Sequence, residues 1–350
     1  MTTAAPIRVG ILHDMADGPG EGRPPLTDLL TMAIDEVTAA GRLDRGVEFV
    51  DAYGLGLPAG TAAAVEQAYV RLVDDGALLV VGPAIGDDAL VITPLAERFR
   101  MPTVNWAGTE RGRSDYMFHL QVGSHEDESV LIARYLRDTG ARRVGVVYDR
   151  SPIGRRHLHF LQLEADIVGV HIADARPVAV MADEASSQFR DVLSAEVDAV
   201  VYLGLGLAAP AVASAAVGQG WSGPRVMNGC GMRGFAPEMA QVIDGWVYVD
   251  MFSDANRTLT DLRRRLGPED RPGAGTAYGY DMGRLVAEGL ARATELTRDG
   301  VRDGLQAIKW LPAAQGHEGT LLGFGHFDRG ALHGRYLVLR RWDRGVSVEI

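Results

Sequence analysis

The stretch ALLVVGPAIGDDALVITPLAERFRMPTVNWAGTE, residues 77–110, constrains the fold more than any other part of the chain. Residues 77–81 are an unbroken apolar run ended by Gly82 and Pro83, the pattern of a strand buried on both faces. From Asp88 onward Leu90, Val91, Ile92, Leu95 and Phe99 recur at helical spacing, and Pro102 closes the segment before a second short strand at residues 103–105. This is a strand, helix, strand unit, and its strands belong to a parallel sheet covered by helices. In open parallel sheets, ligands bind beyond the carboxyl ends of the strands, where helix N-termini offer free N–H groups. Asp87 and Asp88 stand at such a place.

The same alternation runs through most of the chain. Residues 7–12, 47–51, 77–81 and 103–105 read as strands, and residues 26–40 and 61–73 as helices closed by Gly41 and Gly76. A second series opens at Ser124, which with Asp127 has the spacing of a helix N-cap box, and Gly140 marks that helix's end. It continues with strand 143–148, helix 158–165, an extended stretch 168–180, strand 199–203, helix 208–219 and strands 225–228 and 246–250. Helices follow at 258–266, 276–297 and 301–308, and the segments TLLGFGHFD, GRYLVLRRW and VSVEI switch to the period of antiparallel strands. A chain of 350 residues exceeds what one core usually holds, so two α/β lobes are expected.

Composition narrows the partners. The net charge of −11 speaks against a nucleic-acid surface and leaves small molecules as the expected ligands. The single cysteine, Cys230, cannot close an internal disulfide and fits a reducing compartment without demanding one. The opening MTTAAPIRVGIL lacks the basic and apolar regions of a secretory signal, and no segment has the ~18 apolar residues of a membrane span. The expectation is a cytoplasmic chain as the sequence stands, extracytoplasmic if a leader precedes it, with no direct membrane insertion.

Several motifs in order carry a family resemblance: IRVGIL with a Gly/Pro-rich loop and a helix ending DEVTAAG, VGP followed by PLAERFRMPTVNWAGT, RRVGVVYDRSPIGRRH, DAVVYLGLG, AYGYDMGRLVAEGLARA and HEGTLLGFGHFDRG. In this order the chain resembles the type I periplasmic binding fold, specifically the leucine/isoleucine/valine-binding-like receptors of ABC transporters. The resemblance implies two Rossmann-like lobes with parallel sheets flanked by helices, joined by three hinge crossings and closing on a solute. It places lobe 1 at residues 1–121 plus 252–328 and lobe 2 at 122–251 plus 329–350, with crossings near 120–123, 250–253 and 327–330. It further implies a non-catalytic solute-binding protein without a cofactor. The partner is an ABC permease, or a cytoplasmic regulatory partner if the chain is a ligand sensor of the amide-sensing type.

The family's ligand positions, carried over by motif, depart from an amino-acid site. A serine cluster that binds the ligand carboxylate corresponds to Gly86, Asp87 and Asp88, where two acids would repel it. Ala107, Gly108 and Thr109 keep the small residue and threonine after the next strand. In the second lobe a ligand tyrosine becomes Ile153, another aromatic falls near Gly206, and the acid that pairs with the ligand ammonium falls near Cys230. Branched-chain amino acids are therefore not expected to bind.

Each candidate also has a plain structural role. Asp88 reads as a cap of its helix, which leaves Asp87 for a ligand hydroxyl, amide or cation. Trp106, directly after a strand, offers a flat apolar wall or packs under a loop. His13 lies in the cleft or in its scaffold, Tyr148 and Asp149 end the first strand of lobe 2, and Cys230 reads as a small buried apolar side chain. His157 and His159 diverge on a helix, and His317, His326 and His333 lack a ligand frame, so no metal site is expected. Gly229, Gly231 and Gly234 match G-x-G-x-x-G, with Asp250 at the distance of a ribose-binding acid. A nicotinamide site is the minor alternative, set aside because the preceding strand is short and late in its lobe and Pro237 interrupts the helix that follows.

Overall fold

The computed structural model describes residues 5–19, 25–235, 239, 242–267 and 274–350; residues 20–24 of the Gly/Pro-rich loop and Pro237 lie outside the described residues. The chain starts with β1 (Ile7–His13), α1 (Pro25–Ala39), β2 (Val47–Tyr53), α2 (Ala62–Asp74), β3 (Leu79–Val81), α3 (Gly86–Phe99), β4 (Thr103–Asn105) and β5 (Met117–His119). The strands form one sheet in the order β2-β1-β3-β4-β5, with every pairing parallel. All residues of β3, β4 and β5 are buried, as strands between two helical layers must be. On α2, Thr61 Oγ1 caps the first turn by accepting from the Ala64 N–H at 3.2 Å. Val65, Ala68, Tyr69 and Leu72 form the buried stripe of that helix, packed in one core with Val80, Ile92 and Met117.

The second sheet begins with α4 (His125–Asp138), β6 (Arg143–Asp149), α5 (Pro152–Val168), β7 (His171–Val178), α6 (Ser186–Leu193), β8 (Ala199–Leu203), α7 (Ala209–Gly218), β9 (Arg225–Met227) and β10 (Val247–Asp250). Successive strand residues serve opposite cores. Val147 and Tyr202 pack with α6 and α7, whereas Val146, Val201 and Tyr148 pack with α4 and α5. The chain then adds α8 (Arg257–Leu266), α9 (Ala274–Arg292), α10 (Arg298–Gln306) and a small antiparallel sheet of β11 (Leu311–Pro312), β12 (Leu321–Leu322) and β13 (Leu332–His333). Helix α9 lies against α1 and α10. Gly283 permits the first approach, since a Cβ there would stand 2.8 Å from the Leu29 carbonyl oxygen. Finally β14 (Val338–Asp343) and β15 (Val346–Glu349) extend the second sheet, giving the order β15-β14-β10-β9-β8-β6-β7.

By contacts the chain divides into two compact units, Met1–Val122 with Phe252–Tyr336 and Gly123–Met251 with Leu337–Ile350. The last division corrects the expected crossing at residues 327–330. Gly330 bridges to His119, the Ala331 N–H donates to the His119 carbonyl, and β13 pairs with β12, so residues 329–336 belong to the first unit. Strand β5, helix α6 and the two-residue strands β11 and β13 had no counterpart in the periodicity. No helix among the described residues is long and apolar enough to cross a membrane.

Candidate functional site

The carboxyl ends of β1, β3 and β4 form the rim of the first unit's sheet. Strand β1 runs through His13, whose Nε2 lies 2.7 Å from Asp51 Oδ1 and whose ring stacks on Tyr53 at 4.4 Å. His13 is thus engaged by the neighbouring strand. The next residue, Asp14, is 2% exposed and turns into the rim. Its Oδ2 accepts from the Ile85 N–H at 2.8 Å, and its two oxygens accept from the Ala84 N–H at 3.0 and 3.1 Å.

This corrects the expectation that Asp88 caps α3. The N-cap residue is Ile85, which offers no side-chain bond, and both Asp87 and Asp88 lie inside the first turn. Asp88 is fully buried, and its Oδ1 accepts from the Leu57 N–H at 3.0 Å in the loop after β2. Burial, reinforced by the charges of Asp14 and Asp87, pushes the Asp88 pKa up to about 7, and burial raises that of Asp14 as well. Asp87 is half-buried beside it.

The loop after β4 is held from below. Asn105 Nδ2 donates to the Phe118 carbonyl at 2.8 Å while its Oδ1 accepts from the Ala107 N–H at 3.1 Å. His119 Nδ1 accepts from Arg113 Nε at 3.1 Å, so its proton sits on Nε2 and is donated to the Ala107 carbonyl at 2.6 Å. Burial and the neighbouring Arg113 hold the His119 pKa down to about 3, which keeps that tautomer neutral. The result is a fixed segment in which Trp106 and Gly108 are half-buried, Ala107 is buried, and Thr109 is buried with its Oγ1 accepting from the Arg111 N–H at 3.4 Å. The structure therefore brings Asp87, Asp88, Trp106, Ala107, Gly108 and Thr109 to adjoining strand ends of one sheet.

The second unit has its own rim. Tyr148 packs beside the core under α4 and α5, and Asp149 is fully buried, accepting from the Tyr202 hydroxyl at 2.6 Å and the Leu205 N–H at 2.7 Å. Ser151 Oγ caps α5 by accepting from the Gly154 N–H at 3.0 Å, and Ile153 is buried in that first turn. Gly206 takes a φ of +91° after β8. Cys230 is buried in the core beside α7 and lies in the 3-10 turn Gly229–Phe235. That turn is where G-x-G-x-x-G falls, and its glycine has a packing cause: a Cβ on Gly231 would stand 2.2 Å from the Tyr248 Cβ. A dinucleotide fingerprint needs these glycines to open an α-helix, whereas the described residues Gly229–Phe235 form a 3-10 turn.

Neither Glu128 nor the pairing of His125 with His157 in the second unit was evident from the sequence. Glu128, on α4, accepts from the Ser124 N–H at 2.9 Å and the Gly229 N–H at 2.6 Å, and burial raises its pKa to about 7. His125 and His157 face each other at 4.4 Å between ring centroids, with His157 Nε2 at 3.1 Å from Asn228 Nδ2. Burial holds both histidines neutral, His125 down to about 4 with help from Arg156. Among the described residues no group of three or more His, Cys, Asp or Glu side chains could hold a metal ion.

The sequence pattern of the family described as periplasmic binding protein matches residues 6–335. The chain belongs to the periplasmic binding protein family. Among solved structures it is similar to a type 1 periplasmic binding protein from Bordetella pertussis Tohama I, with 16% identity, a TM-score of 0.83, and coverage of 99% of this chain and 100% of that one. A leucine binding protein from Thermotoga maritima MSB8 gives 14%, 0.80, 98% and 97%. An ABC transporter substrate-binding protein from Sphaerobacter thermophilus gives 22%, 0.77, 99% and 96%. A comparison with curated proteins returns no match. At these identities the structural likeness establishes the type I periplasmic binding fold and leaves the solute to the site. In this periplasmic binding protein the residues that distinguish the first rim are acids, and one of them, Asp14, had only its place after a strand to announce it.

Proposed function

We propose that this periplasmic binding protein is a non-catalytic receptor for a neutral or cationic organic solute with an apolar or aromatic body, and that it serves an ABC-type uptake system. The family supports solute binding, and the similar proteins from Sphaerobacter thermophilus and Desulfitobacterium hafniense are named as ABC transporter substrate-binding proteins. One of the latter was solved with Leu, a property of that protein. The observation that carries the reading of the solute is the rim of the first unit, where Asp14, Asp87 and Asp88 crowd the start of α3 beside the Trp106 to Thr109 segment. Acids at a helix start favour a cation or a neutral donor over a second anion, and an indole at the same edge suits a flat apolar body.

A thermal-shift screen over several hundred solutes tests this, since a ligand at a hundredfold excess over its Kd adds about 2.7 kcal/mol of stability. Neutral and cationic compounds are expected among the stabilisers. Trp106→Ala is expected to weaken the best of them about tenfold or more in a calorimetric titration, from the loss of one aromatic contact. Micromolar binding of leucine to the parent protein, or a Trp106→Ala variant as tight as the parent, would defeat the proposal.

A further inference from the structure

Helix α5 of the second unit is apolar on two faces. Ile153, His157, Leu161 and Ala165 are buried at every fourth position, the last two in the core shared with α4. Leu163 and Ile167 each stand two residues further on, about 200° round the helix, and so turn away from that core. They are 49% and 76% exposed. One turn before Leu163, Phe160 is half-buried beneath the Arg156 guanidinium, which lies 5.2 Å from the centre of its ring. A single exposed apolar side chain is ordinary, but among the described residues these two are the only large exposed apolar side chains that share a helix.

The charges of α5 carry a second signal. Its first half holds Arg155, Arg156 and His159 and its second half Glu164 and Asp166, with no acid in the first turn and no base in the last. The helix dipole favours the reverse order. Arg156 is ion-paired with Glu126 of α4, whereas Arg155 and Asp166 are exposed. An antiparallel copy of the same helix removes the conflict, because the basic half of each then lies beside the acidic half of the other. Centred between Phe160 and Leu163, this pairing sets Leu163 of one copy against Phe160 of the second, and brings Asp166 within reach of the second copy's Arg155.

We infer that α5 is a self-association surface, on which two copies of this chain pack α5 against α5, antiparallel and about a two-fold axis. The apolar stripe supplies the contact and the reversed charges fix its direction. One helix face makes a small interface, so the dimer forms as concentration rises.

Sedimentation equilibrium of the parent from about 1 μM to about 1 mM tests this, with the average mass expected to climb from that of one chain towards that of two. Ile167→Glu alters a side chain that the fold leaves exposed, and is expected to weaken association roughly tenfold or more at an unchanged melting temperature. Arg155→Glu and Asp166→Arg each set like charges face to face in the dimer and are expected to weaken it, although each suits the dipole of α5 and leaves the melting temperature level or higher. With both changes in one chain, opposite charges face each other again and association is expected to return to the parent's strength. A parent that keeps the mass of one chain throughout would overturn the assignment and leave the stripe to a different protein. A dimer indifferent to Ile167→Glu, or a double variant that associates no better than the single ones, would overturn it as well. No solute enters the measurement, so its outcome is separate from that of the solute screen.

Discussion

Asp88 has one oxygen satisfied by a backbone N–H and the other closed off from water, and its response to pH follows from that burial. Its pKa in the fold, about 7, lies above the 3.8 of an ordinary aspartate, so it is the proton that stabilises the folded chain. That stabilisation is complete below the ordinary aspartate range and is lost as pH rises through about 7. Asp88→Asn keeps an oxygen for the Leu57 N–H and replaces the titrating group with a neutral amide. Measured against the parent, its melting temperature is expected to gain steadily from about pH 4 to pH 8 and to stand a few degrees higher at the alkaline end. A difference that stays constant over that range would show that Asp88 does not titrate there. The residue types at this site were legible in the sequence, since Asp87, Asp88, Trp106 and Thr109 follow strands that apolar runs betray. Their roles were not, because a carboxylate at a helix start looks the same whether it caps the helix or faces a loop after another strand.

Among the elements, α4 shows how a cap is shared between distant parts of one unit. Ser124 Oγ accepts from the Asp127 N–H at 3.1 Å, as the spacing of the box predicts, but the return bond to the Ser124 N–H comes from Glu128, one residue later. The second oxygen of Glu128 reaches the Gly229 N–H and ties α4 to the turn Gly229–Phe235. Glu128→Ala leaves both N–H groups without their acceptor in a buried place, at a cost of about 1–3 kcal/mol in a denaturation midpoint. The turn carries Cys230, the only cysteine, so its loosening is also expected to speed labelling of that thiol several-fold, with Glu128→Gln in between. Labelling and midpoint both equal to the parent's would mean that the tie contributes nothing. Elements of this size were readable where the apolar period had room to repeat, as in α2 or β8. Three residues in β5, or two in β11, hold too little pattern to distinguish a strand from a loop, and only their pairing with β4 and β12 makes them strands.

At the scale of the whole molecule, two units with separate cores share one chain, each assembled from discontinuous segments. Chains of this kind depart from two-state unfolding, so scanning calorimetry is expected to give a calorimetric enthalpy larger than the van 't Hoff enthalpy. A ratio of one would show a single cooperative block. The titrating groups pull in opposite directions: Asp88, Glu128 and Asp281 carry raised pKa values and favour the fold towards acid, while His119, His125 and His157 carry lowered ones and favour it towards alkali. By itself the sequence determined the alternation of strands and helices, and with it a parallel α/β chain with its candidate site residues at strand ends, because the period of apolar residues is a local property. Only the tertiary structure decided which acid meets which helix. Asp14 and Ala84 lie 70 residues apart and meet because β1 and β3 pair in one parallel register; Glu128 and Gly229, 101 apart, meet through the packing of α4 at the end of β9. A local pattern contains no information about such pairings, since the register that creates them is fixed by the sheet as a whole.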